Sequence, residues 1–185
     1  MGLRRWVAGL VGGDASAAEQ SPALELSVDV PARAASIEAH YGLAAADARR
    51  VAEILQAELG REEGYARTMI ADRIAREVDL DPAVARTVVD TEVASIRTLA
   101  RAEKFARQAD GEVRYRWVDS VGRDDSPVCA DVRAAIDERG PVTRDELVEL
   151  LREAAAGHES GTPERADDLI PHERCRHTVV RHVDA

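Results

Sequence analysis

Lysine is almost missing from this chain: Lys104 stands alone against 24 arginines. Aromatic residues are nearly as scarce, with Trp6, Tyr41, Tyr65, Phe105, Tyr115 and Trp117 making up the whole set. Any core must therefore be built mostly from Val, Leu, Ile and Ala. No apolar run comes near the roughly 20 residues that a membrane span needs, so no membrane partner is expected. Two cysteines are too few for a disulfide scaffold and read first as thiols or ligands. There is no P-loop, no G-x-G-x-x-G, no G-x-S-x-G and no H-E-x-x-H. No catalytic or cofactor-binding residue is assigned, and the chain is not read as an enzyme.

What the chain does have is acid, for a net charge of −10 over 185 residues. Carboxylates keep a surface hydrated, and arginine is the weakly hydrated, fork-shaped cation suited to pairing with them. The combination reads as a protein of a salt-rich cytoplasm; a GC-rich gene would favour the same Ala, Arg, Gly and Val. An acidic balance argues against a uniform DNA-binding face. A local arginine patch stays open, with Arg114, Arg116, Arg174, Arg176 and Arg181 on or beside the expected strands. The other reading of those arginines is pairing with the chain's own acids.

The length suits one domain, or a small domain with an extended arm. The first residues, "MGLRRWVAGLVGG", carry an apolar stretch of about eight residues interrupted by glycine, short for an export signal. They read as a frayed end or a short amphipathic anchor. Residues 1–35, rich in Ala, Gly, Ser and Pro, read as an extended arm or linker, with "LELSVDV" alternating like one strand or a bound extended segment. Residues 36–110 read as helical and partner-docking. Val51, Ile54, Leu55 and Leu59 form one stripe, and Ala66, Ile70, Ile74 and Val78 another. Asp81 and Pro82 then open a long helix as N-cap and first helical residue. Over about 27 residues such a helix reaches roughly 40 Å, more than a small core needs. Residues 111–185 read as a compact unit. "EVRYRWVDSV" alternates as a strand, two helices follow, and "CRHTVVRHV" alternates again. Thr143 and Glu146 make a capping box for the second of those helices. The expected fold class is α+β: a helical N-terminal half whose long helix leads into a small strand–helix–helix–strand domain.

The segment "LIPHERCRHTVVRH" places His172, Cys175, His177 and His182 within a few positions, in a chain with five histidines and two cysteines. Residues two apart in a strand share a face, so Cys175 and His177 are expected to point together. His172 follows Pro171 at a turn, and Cys129 opens the helix after the first strand. If the two strands pair, Cys129, His172, Cys175 and His177 make a two-sulfur, two-nitrogen set, which suits a structural zinc ion. Free buried thiols with surface histidines, or a Cys129–Cys175 disulfide, stay open beside it. His182 reads as a solvated strand residue, and His40 and His158 are given no role. Asp119, Asp124 and Asp125 read as a solvated acidic turn before a divalent-cation site. Thr91 and Glu92 sit mid-helix, where Glu92 is expected to pair with an arginine on a solvated face.

Taken together, "DTEVASIRTLARAEKFARQADGEVRYRWVDSVGRDDSPVCADV" and "IPHERCRHTVV" resemble the phage head-morphogenesis family of Mu protein F-like minor head proteins. Thr91–Glu92, Trp117, Asp124–Asp125, Cys129, His172, Cys175 and Arg176 fall in that family's order, over about residues 85–182. Ser126 stands where the family often has a first cysteine, His177 where it often has the last, and Glu173 where a proline follows the histidine. The resemblance implies a low-copy virion protein at the portal vertex, acting in head assembly or in packaging and delivery of the genome. Its implied partners are the portal protein, other head proteins and packaged DNA. Its implied place is the capsid, with the host cytoplasm during assembly. The competing expectations are a zinc-stabilised adaptor, or a zinc-dependent nucleic-acid-processing protein, of a halophilic cell.

Overall fold

A computed structural model describes residues 25–61, 64–119 and 126–183. Four helices come first: α1 (Val30–Tyr41), α2 (Ala45–Leu59), α3 (Arg67–Glu77) and α4 (Pro82–Arg107). Strand β1 (Tyr115–Asp119), α5 (Pro127–Arg139), α6 (Arg144–Ala156), a short 3-10 helix (Pro163–Asp168) and β2 (His177–Arg181) follow. The fold is α+β, with a long helix and a small two-stranded sheet.

Helix starts obey local chemistry. Asp81 accepts from the N–H groups of Ala83 and Val84, with Pro82 at the first helical position. Thr143 and Glu146 form the reciprocal capping box. The expectation of an extended arm through residue 35 is corrected: Asp29 caps α1, Pro31 lies in its first turn, and residues 30–41 are helical. "LELSVDV" makes no strand over its described residues 25–30. Alternation there is a local signal with no partner strand among the described residues.

Two apolar clusters divide the molecule. One joins α1, α2, α3 and the first half of α4 through Ile37, Val51, Leu55, Ile74, Val89 and Ile96. The other joins the sheet, α5, α6 and the end of α4 through Tyr115, Trp117, Val132, Leu151, Val179 and Ala102. At 26 residues α4 serves both, which accounts for its length. β1 and β2 pair antiparallel, Trp117 opposite Val179 and Asp119 opposite His177. Both strands are shorter than the alternating sequence around them. Cys175 therefore lies ahead of β2 rather than within it.

Candidate metal centre

The turn that precedes β2 is held from three sides. Pro171 accepts from the Thr162 N–H at 2.8 Å, and Gly161 and His172 form an isolated antiparallel bridge. Gly161 sits so close to α6 that an added Cβ would stand 1.9 Å from the Ala155 carbonyl oxygen, so only glycine fits. Arg174 adopts the left-handed region at φ 56°, which reverses the chain between His172 and Cys175. Its N–H donates to Thr91 Oγ1 at 2.9 Å, on the buried face of α4.

Cys129 reaches the same point from the first turn of α5, where Ser126 caps the helix and accepts from the Cys129 N–H. Its sulfur lies 3.1 Å from His172 Nε2 and 3.6 Å from Cys175 Sγ. Cys129, His172 and Cys175 can hold a metal ion: their ligand atoms all lie within 4.8 Å of one another. Both cysteines are buried free thiols, so no disulfide joins them. His172 Nδ1 lies 2.8 Å from the Glu173 carbonyl oxygen. An Nδ1–H donated there leaves the Nε2 lone pair turned toward the sulfurs, the arrangement that orients metal-ligating histidines.

The electrostatics favour one thiolate. A hydrogen bond from the Cys175 thiol holds the Cys129 thiol far below its ordinary range, against burial and with smaller help from His172 and His177. The same pairing with Cys129, then burial, pushes the Cys175 thiol up. Burial lowers His172, but the hydrogen bond and charge of Cys129, with the Glu173 carbonyl, together outweigh this and leave it raised. A helix N-terminus favours the same charge on Cys129.

His177, the fourth expected ligand, is not in this group. Its ring lies flat on Trp117, centroids 5.7 Å apart with planes 5° from parallel. Cys175 and His177 are both buried with the half-buried Arg176 between them, so the two share a face as expected, but the His177 ring is stacked on Trp117. Asp119 ends β1; Asp124 and Asp125 lie outside the described residues. His182 donates its N–H to the Arg114 carbonyl. His40 bridges Glu164 and Glu173, and His158 pairs with Asp131.

The expected solvated face for Thr91 and Glu92 is corrected, since both are fully buried. Glu92 accepts a two-pronged grip from Arg165, at 2.7 and 3.1 Å, and a third bond from Arg33 at 2.9 Å. The Tyr41 hydroxyl donates to it at 3.2 Å. Asp168 completes the charge balance, accepting from Arg165 Nε at 2.8 Å and from Ser36. Burial works against the Arg165 charge, yet Glu92 and then Asp168 hold its pKa above the ordinary value. This network joins α1, α4 and the 3-10 helix, which leads directly into the His172 turn. Sequence reasoning missed Arg33, Arg165 and Asp168. Only the Arg165–Asp168 spacing hinted at a pair, and nothing local pointed to Arg33.

No family model matches the chain, and neither the search of curated proteins nor that of solved structures found a match.

Proposed function

We propose that this chain is a minor head protein of a tailed virus or provirus of a halophilic host, associated with the portal vertex and acting in head assembly or genome packaging. The ordered series Thr91–Glu92, Trp117, Cys129, His172, Cys175, Arg176 carries the reading. Its support is that these letters cooperate in space. Thr91 ties the Arg174 turn, Glu92 anchors the element before it, and that turn brings His172 and Cys175 to Cys129. Zinc is the proposed ion, because two sulfurs and an imidazole nitrogen suit it, with His177 or a water as fourth ligand. Its role is structural: it staples a core poor in aromatics.

The test is co-expression with the portal protein of the same virus or provirus, followed by affinity capture and by mass spectrometry of purified virions. Stable co-purification and presence in virions are expected; absence from both removes the reading. Elemental analysis of protein purified without added zinc is expected to give one zinc per chain. A second reading, a zinc-dependent nuclease, draws on the three-ligand set, which leaves one coordination position for water. Metal-dependent cleavage of plasmid DNA, lost in His172→Ala, would favour it over the virion role.

A further inference from the structure

On the face of α4 that meets the start of β2, a cleft of about 390 Å³ runs beside the cysteine–histidine cluster. Arg67 of α3, Arg97 and Arg101 of α4, and Arg176 all line it, together with the hydroxyl-bearing Thr98 and Thr178. Asp90 is the one acid among its described lining residues, and it is already engaged by Arg67 at 3.1 Å and by Arg174 at 3.5 Å. In a chain of net charge −10, this is a local inversion of sign.

Two of these arginines, Arg97 and Arg101, make no ion pair among the described residues. Arg97 is exposed and makes no hydrogen bond or ion pair among the described residues. Arg101, half-buried, donates to Thr178 Oγ1 at 3.1 Å. Burial, and then the charge of Arg97, hold its guanidinium below the ordinary value. Like charges four residues apart on a helix destabilise it, and an anion between them reverses the sign of that term. Elsewhere this protein matches arginine with acid, as in Arg73 with Glu58 and Glu77. Arg97 and Arg101 depart from that habit.

We propose that this cleft binds the phosphate backbone of single-stranded nucleic acid. The guanidinium fork matches phosphate oxygens two at a time. Arg97 and Arg101 stand one turn apart, about 6 Å along the helix axis, with Arg67 and Arg176 on flanking elements. The set therefore addresses successive phosphates rather than one isolated anion. No Phe, Tyr or Trp lines the cleft, so recognition is of backbone and not of base. The cleft, about 390 Å³, has room for one flexible strand and not for a stiff duplex. The inference stands on the cleft alone, so its failure would leave portal association untouched.

Fluorescence anisotropy of the full chain with a labelled oligothymidylate of about 12 nucleotides tests it, across salt concentrations over which the helix signal in circular dichroism is constant. Binding is expected to weaken with salt at a logarithmic slope of about −2 to −3, from about −0.7 per phosphate contact. Arg97→Glu, at an exposed position, should weaken binding at least about tenfold and flatten the slope by about 0.7, with an unchanged dichroism spectrum. Arg49→Glu, on the exposed face of α2, should bind like the parent. No binding by the parent overturns the proposal, as does undiminished binding by Arg97→Glu or an equal loss in Arg49→Glu. Equal competition by duplex DNA, or by a phosphoserine peptide of the same charge, also overturns it.

Discussion

Thr91 shows how much a single hydroxyl carries here. It is fully buried, and it accepts the N–H of Arg174, a non-glycine residue held in the left-handed region. Thr91→Val keeps the shape and removes the acceptor, leaving a backbone donor unsatisfied. Equilibrium denaturation should show a loss of about 1–3 kcal/mol, with Thr91→Ser losing less. Glu92 is the sharper case. It faces two buried arginines, and Glu92→Leu leaves both without their main counter-charge. A loss of about 3–5 kcal/mol is expected. Glu92→Leu combined with Arg165→Met should be less damaging than the sum of the two single changes, because the second removes a charge the first has stranded. A fully additive double mutant would show that the pair does not interact. The sequence displayed Thr91 and Glu92 as polar letters on a helix. It could not show that Arg33, some sixty positions earlier, and Arg165, further still in the other direction, would close over them.

At the scale of elements, most boundaries set by caps were legible, those set by packing were not, and the Asp29 cap of α1 was passed over. Asp81–Pro82 and Thr143–Glu146 announced α4 and α6, because a cap is satisfied by residues three apart. Thr143→Ala should cost about 1 kcal/mol through that lost cap, measured as a shift in the thermal midpoint. The strands were legible as alternation but not in extent, since a strand ends where its partner's hydrogen bonds end. Cys129, His172 and Cys175 come together, while the His177 ring is stacked on Trp117. Gly161 was not singled out in the sequence, yet its contact with the Ala155 carbonyl sets where the His172 turn can lie. Gly161→Ala should displace that turn. The expected readout is weaker zinc retention in a competition with chelator, alongside lowered stability.

For the whole molecule, one helix belongs to two cores, and a buried ionic network crosses between them. Unfolding should therefore be a single transition. In a Trp6→Phe background, Trp117 fluorescence and far-ultraviolet dichroism are expected to give coincident curves; two separated midpoints would show that the clusters unfold independently. Zinc removal should lower that single midpoint, and Cys175→Ser should do the same without chelator, because in such sites binding energy is folding energy. A chelator with no effect on a zinc-loaded sample would remove the structural role.

The sequence by itself determined helices α2 to α6, the pairing-prone strands, the acidic balance and the identity of the thiols and imidazoles, since each is fixed by composition or by residues close together in the chain. Only the tertiary structure decided which of these meet. It buried Glu92 between arginines from both ends of the chain, gathered three of the four expected ligands, and set Arg97 and Arg101 beside Arg67 and Arg176 in one cleft. The reason is physical: a buried charge or a ligand atom is satisfied by whatever the fold brings within a few ångströms, and local sequence holds no record of that distance.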